Sequence, residues 1–453
     1  MSNRGAKRLS AALLLVVFAG LTAAKAEDRP VNVRDHGAKC DGVSDDSGAF
    51  AAAIAAANPE KGGSGMILVP PSKTPCLLGS ALVLGSGETL FAEPGTAIIQ
   101  PIVPHEDAGK APLLISIKDA SHVTLRGLIF DGDSDRVGSS NNLIAVTSAD
   151  HVVFDHIATR NGRGIAISFT GGAKGVTYSG IQNSSFNNTG LYYMKSGDKK
   201  SDRKQAVAFC CGDRDAAGNY PNQHNFAKSN SWGENGFDNL SFGQQNWFTV
   251  ENNSFGGTHN GGNIYCSHGN HIRIINNKLR GAAGNGIDCF INDDLTITGN
   301  ESMMNGAAGI QADGTNCGLI ANNRTFNNYQ SSLASWSSTH PDVKGSAHRA
   351  GITIGGGLKD DTQGTTDLVI ANNQSGDNQG RKTQAYGIQI VKKALIRDVQ
   401  IAKDNRLTGN ADGALGEQAA SIRLSEATAP ACRQWGGEWM LSMTGVQMAR
   451  SRN

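Results

Sequence analysis

The sequence predicts an all-β fold: a single-stranded, right-handed parallel β-helix, a solenoid of about 23-residue coils with an N-terminal capping helix. Three observations carry this. First, short strand-like segments ending in asparagine recur along the chain, and Asn253, Asn277, Asn300 and Asn323 fall 24, 23 and 23 residues apart. A fixed period of that length marks a solenoid. Second, each segment is rich in Val, Ile and Thr and is bounded by Gly and Asn, which reads as strand and turn. Third, a second beat of a small or polar residue followed by a large apolar one lies between the asparagines. It appears at Gly164-Ile165, Gly236-Phe237, Asn263-Ile264, Gly286-Ile287, Gly309-Ile310, Gly351-Ile352 and Gly387-Ile388. No helical period fits between the beats. The leucine-rich pattern is absent, and so is the six-residue beat of a left-handed β-helix. Coils therefore stack at the ordinary inter-strand spacing of about 4.8 Å. The equivalent asparagines are expected to hydrogen-bond each other inside one bend.

Residues 1–26 stand apart from the repeat. Arg4, Lys7 and Arg8 precede an apolar run from Ala11 to Leu21, followed by Ala24-Lys25-Ala26. This is the pattern of a secretory signal, and the run is too short to span a bilayer. The expected location is periplasmic or secreted. Without these residues the formal charge falls from +1 to −3, because four basic and no acidic residues leave. That balance points away from nucleic acid, whose binding modules are distinctly basic. No other segment approaches membrane-spanning length. Eight cysteines in an exported chain permit disulfides. Cys40 and Cys76 are a candidate pair. Cys266 and Cys289 hold equivalent positions on adjacent coils, whereas the neighbours Cys210 and Cys211 are expected not to pair with each other. Connectivity does not follow from sequence.

Residues 27–60 form the expected N-terminal strand and cap. Val31-Asn32-Val33 alternates like a strand, the stretch from Gly37 to Asp46 reads as a turn, and an alanine-rich helix follows. Asp45 or Asp46 can cap that helix, which carries Phe50, Ile54 and Ala57 on one face. It would cover the open edge of the first coil. Turn and cap roles account for Asp41, Asp45 and Asp46 better than an acid cluster does. This segment resembles the N-terminal signature of the pectate-lyase-like superfamily, shared by polygalacturonases, rhamnogalacturonases and phage tailspikes. Cys40 stands where Gly is usual, and Ser47-Gly48 where Thr is common. The resemblance covers roughly residues 31–410. It implies the fold far more specifically than any reaction.

The coils are expected over residues 61–410, with polar insertions at 195–235 and 327–350 and a shorter break at 374–386. The first insertion carries Lys195, Lys199, Lys200, Arg203, Lys204 and Arg214, and the second carries Tyr329, Trp336, His340, His348 and Arg349. Long loops on a rigid scaffold commonly hold function. Residues 411–453 lose the repeat and read as a C-terminal cap or tail.

The resemblance implies a substrate groove over the first sheet of the solenoid, the one the Gly-Ile beat marks. Side chains alternate along a strand. With Ile264, Ile287 and Ile310 inward, Tyr265, Asp288 and Gln311 stack outward, with Asp313 two residues beyond Gln311. Phe290 also comes outward. Asp238 is expected one coil before Tyr265, in a register that Leu240 and Phe242 contest, and His268 lies at the strand end. The candidate catalytic residues are Asp288, Tyr265, His268, Asp238 and Asp313. The candidate substrate-binding residues are Gln311, Lys195, Arg214 and Trp336.

Two chemistries compete for this row, and both place a polysaccharide, an acidic one, in the groove. Hydrolysis with inversion needs two carboxyls about 6.5–9.5 Å apart. One coil up and two residues along puts Asp288 and Asp313 roughly 8 Å apart at Cα. The polygalacturonase acids themselves are missing, with Gly284-Asn285 and Ala308-Gly309 at their places. Elimination or epimerisation of a uronate needs a proton-transfer group, here Tyr265 or His268, and a group that neutralises the carboxylate. Lys195 and Arg214 fit that second need. So does Ca²⁺, for which Asp238 and Asp288 are suitable oxygen ligands; the D-P-H motif of alginate epimerases is absent. The expected function is a carbohydrate-active protein that cleaves by β-elimination. Hydrolysis is the alternative, and a non-catalytic glycan-binding or surface-structural β-helix is a third reading.

Overall fold

The computed structural model describes residues 29–102, 113–133, 142–172, 174–190, 204–212, 214–215, 219–330, 348–355, 364–391 and 395–416, together with the backbone of 422–425. It is a parallel β-helix. A coil in its middle has three strand stretches, as at 264–267, 270–275 and 278–280. The first two stretches share one 25-stranded sheet that runs around a corner, and the third belongs to a 12-stranded sheet. All pairings shown are parallel and link one coil to the next.

Local chemistry explains the corners. In the Asn-Asn pairs, the first residue takes the left-handed conformation: Asn252, Asn276, Asn322 and Asn372 have φ of 57°, 55°, 59° and 50°. Asn tolerates that region better than most residues, and Gly299 takes the place once. The second residue then turns inward. The Nδ2 of Asn253 donates to Oδ1 of Asn277 at 2.9 Å, Asn277 to Asn300 at 3.0 Å, and Asn300 to Asn323 at 3.0 Å. The ladder extends beyond these four, from Asn230 at one end through Asn373 to Asn405 at the other. Each amide also satisfies a backbone carbonyl, as Asn300 does for Ile274 at 2.8 Å. A second ladder runs from Asn305 through Asn328 and Gln384 to Asn410.

The core repeats in the same way. Leu240, Ile264, Ile287, Ile310, Ile352 and Ile388 pair in register and are fully buried. Cys266 and Cys289 take the next inward place on neighbouring coils and are bonded to each other. Cys40 and Cys76 are bonded too. Cys210 and Cys211 form a disulfide despite being adjacent, contrary to the expectation that they would not pair.

The cap is the helix Ser47–Ala57, with Phe50, Ala53, Ile54 and Ala57 buried against the core. Of the two carboxylates before it, only that of Asp45 bonds the helix N-terminus. Asp45 accepts from the N–H of Ser47 at 2.9 Å, while Asp46, at the cap position, reaches back to the N–H groups of Lys39 and Cys40. Asp41 accepts from the N–H groups of Val43 and Ser44 and from the Ser44 hydroxyl, which holds its carboxyl down at about 2. Val31–Asn32 pairs with Ile67–Leu68 and starts the sheet.

Two expectations about organisation are corrected. The polar stretch 195–235 is not a single insertion: Val207–Cys210, Asn222–Lys228 and Ser231–Trp232 are strands of the solenoid. The repeat also continues past residue 411. Gly413–Gly416 pairs with the strand at Tyr386, and Ile422–Ser425 pairs with Val399–Ala402. The signal-like residues 1–26, and Trp435 and Trp439, lie outside the described residues. No helix among the described residues is long and apolar enough to cross a membrane.

Candidate active site

Parallel in-register pairing builds the outward row. Ser241, Tyr265, Asp288, Gln311, Thr353 and Gln389 occupy one position on six successive coils. Two residues further along each strand, a second column reads Gly243, Ser267, Phe290, Asp313 and Gly355. The row is thus as expected from Tyr265 onward. Asp238 does not join it. Leu240 and Phe242 point inward and place Ser241 before Tyr265, leaving Asp238 in the preceding turn. There its Oδ1 accepts from the N–H of Gly262 at 2.7 Å.

Asp288 is the centre of the site. It is 9% exposed, and its Oδ1 has no hydrogen-bond partner. Burial pushes its carboxyl well above the usual range, and the nearby Asp313 and Asp238 push the same way, while a bond from Asn285 opposes them. Asp313, 7% exposed, is raised to about 7, chiefly by burial. One of its oxygens accepts from Nε2 of Gln311 at 2.6 Å, and the other has no partner. Two acids this close cannot both ionise cheaply. The pair therefore keeps at least one proton at pH values where ordinary carboxylates have lost both.

Supporting residues fix this pair. Gln311 is buried, and both ends of its amide are engaged: Oε1 accepts from Asn285 at 2.8 Å and Nε2 donates to Asp313. It orients Asp313 rather than reaching outward as a substrate-binding group would. Asn285 stands where the acid of a polygalacturonase would fall, and its bond to Gln311, 26 residues away, carries no signal along the chain. Gly355 makes room for Asp313, because a Cβ there would lie 2.5 Å from Oδ1. Tyr265 is half-buried, with its ring centroid 5.8 Å from that of Phe290. Burial raises its hydroxyl, and Asp288 and Asp238 raise it further.

The remaining candidates fall elsewhere. His268 sits at a left-handed corner, φ 53°, just beyond Ser267. Arg214 lies over the ring of Tyr220, 4.6 Å from its centroid, on the coil of Cys210 and Cys211. The strand of Cys210 is three coils before Asp288, but the loop that follows it reaches along the solenoid, since Asp293, on the strand of Asp288, acts on the Tyr220 hydroxyl beneath Arg214. Lys195 and Trp336 lie outside the described residues. Among the described residues, the one group of three with atoms close enough to share an ion is Cys40, Asp46 and Cys76, where the two sulfurs are already bonded to each other.

No family model matches the chain, and no curated protein matches it in sequence. Solved structures do match. The A-module of the mannuronan C-5 epimerase AlgE6 of Azotobacter vinelandii is 16% identical with a TM-score of 0.65, covering 89% of this chain and all of that one. The Dettilon tailspike protein is 14% identical with a TM-score of 0.53, covering 87% of this chain and 70% of that one. The surface adhesin PfbA of Streptococcus pneumoniae is 13% identical with a TM-score of 0.50, covering 90% of this chain and 97% of that one. An epimerase, a tailspike and an adhesin on one scaffold show that the likeness concerns architecture. The chain is a single-stranded right-handed parallel β-helix.

Proposed function

We propose that this chain is an exported, carbohydrate-active β-helix that hydrolyses a glycosidic bond in a uronate-containing polysaccharide laid along the outward row. The observation that carries the reading is the Asp288–Asp313 pair: buried, one coil apart, each with an oxygen without a partner, and both raised by burial above ordinary carboxylates. Paired carboxyls with separated ionisation are the usual means of acid–base glycoside cleavage. In this mechanism Asp288 gives its proton to the glycosidic oxygen as the bond to the anomeric carbon breaks. Asp313, ionised, takes a proton from the water whose oxygen forms the new bond. Export is supported by the basic-then-apolar opening of the sequence and by the bonded cysteines. The uronate preference leans on the architectural neighbour named for mannuronan.

The sequence put elimination ahead of hydrolysis, and the carboxyl pair reverses that order. Tyr265 is pushed up, away from service as a base. Elimination retains one point in its favour: a protonated Asp288 beside Tyr265 can hydrogen-bond a uronate carboxylate and so ease removal of the neighbouring proton. Incubation with a panel of polyuronides separates the readings. Hydrolysis yields new reducing ends without ultraviolet-absorbing unsaturated product, whereas elimination yields both. Asp288→Asn should lower kcat about a hundredfold or more with an unchanged melting profile. No turnover of any polymer, with binding retained, would move the protein to the glycan-binding class.

A further inference from the structure

A pocket of about 760 Å³ opens on the same face of the solenoid, on the coil of Cys210 and Cys211. Its volume lies within the range of about 300–1,000 Å³ usual for small-ligand sites. The outward column beside the acid pair leads to it: Thr170 pairs with Cys210, and Gly243, Ser267, Phe290 and Asp313 follow on successive coils. Asp288 lies three coils further on, about 14 Å at the strand spacing.

The disulfide at the pocket has an unusual position. A cross-link stabilises mainly by restricting the unfolded chain, and more so for longer loops. Cys210 and Cys211 are one residue apart, so their bond restricts almost nothing. Cys211 is exposed and lines the pocket, with Pro221 next to it and Tyr220 buried behind. Gly212 has no room for a side chain, since a Cβ there would lie 2.6 Å from Pro221. The disulfide thus presents sulfur as a compact apolar surface. Around it are hydrogen-bonding side chains, Asn219, Gln223 and Gln244, together with the carboxylate of Asp215, which accepts from the N–H of Asn219 at 2.8 Å. Gln244 is held in place, its Oε1 accepting from the N–H of Gly212 at 3.0 Å. An apolar surface ringed by amides matches a pyranose, which has apolar C–H faces and a hydroxyl rim.

We propose that this pocket is a distal saccharide subsite: the Cys210–Cys211 disulfide packs on the face of one sugar ring while the amides take its hydroxyls. This rests on the functional reading above, because the ring belongs to the same chain whose bond lies at Asp288. Cleavage should then depend on chain length.

The test compares wild type with the double variant Cys210→Ala/Cys211→Ala and with Asn219→Ala, on tri- and hexasaccharides of galacturonate and of mannuronate. The expected result is a KM for hexasaccharide about tenfold higher in the double variant and severalfold higher in Asn219→Ala, with kcat unchanged and the trisaccharide unaffected. Thermal melting of the double variant should match wild type, which separates binding from folding; Asn219→Ala keeps the disulfide should it not. Unchanged hexasaccharide KM in both variants overturns the subsite and leaves the acid pair standing. An equal change on the trisaccharide also overturns it. If wild type turns over neither sugar, the hydrolase reading fails, and calorimetry with the hexasaccharides decides the pocket alone. Binding lost in the variants supports it, and no binding by wild type overturns it.

Discussion

Asp313 shows how one residue's surroundings set its chemistry. Its carboxyl stands in a strand where an outward residue would normally be solvated, yet it is buried and raised to about 7. The fold therefore favours the protonated form. Below the ordinary carboxylate value both folded and unfolded chains hold the proton, and stability is full. As pH rises from about 4 to about 7, the unfolded chain releases it first and stability is lost. Asp313→Asn keeps an acceptor for Gln311 and removes this dependence. Its melting temperature relative to wild type should climb across that window and level above it, by an amount worth roughly 4 kcal/mol at most. A difference that is flat with pH would mean that Asp313 ionises normally. Activity should follow the opposite course on its acid side, rising through about 7 as Asp313 becomes the base.

At the scale of the element, the bend is built from a dipeptide with two jobs. One Asn accepts a left-handed backbone, and the next stacks inside. Asn300 takes part in bonds to Asn277, Asn323, Ile274 and Thr298. Asn300→Leu leaves the partners' buried N–H and C=O groups without bonds, at about 1–3 kcal/mol for each group that water cannot reach. Chemical denaturation should show a loss of at least ~2 kcal/mol; no loss would contradict the ladder. Another corner carries a feature the sequence reading missed. His122, His151, Tyr178, His224, Trp247 and His271 stack ring on ring, with centroids 4.0–5.8 Å apart, and the last pairs with Asp294 at 2.6 Å. All six have left-handed φ. Mixed residue types and uneven spacing hide this column in the sequence, and only coil stacking brings it together.

For the whole molecule, stability is close to one-dimensional. Each coil touches its neighbours, so the ends decide solubility. The N-terminal end is closed by the helix Ser47–Ala57, over strands whose edge would otherwise offer unpaired backbone groups. Deleting residues 29–60 should give a product that forms oligomers at micromolar concentration, read by light scattering, with little loss of β-sheet signal in the far ultraviolet. A monomeric, stable truncation would mean that the cap is dispensable.

Much of the architecture was legible in the sequence because a solenoid writes its period into the chain. The Asn spacing fixed the coil, the Gly-Ile beat fixed which residues face inward from Ile264 to Ile388, and alternation placed Tyr265, Asp288, Gln311 and Asp313 in one row. These are local rules of backbone geometry, and residues 23 apart became neighbours by repetition alone. Where the period was irregular, sequence reasoning lost its ruler. Asp238 slipped out of register, the strands at Val207–Cys210 and Asn222–Lys228 were read as an insertion, and the Cys210–Cys211 bond went unrecognised. Only the tertiary structure decided how the pair is placed. Whether Asp288 and Asp313 are solvated surface carboxylates or buried ones depends on what covers them and which amide orients them. Desolvation is a property of the assembled surroundings, which no spacing of residues along the chain encodes.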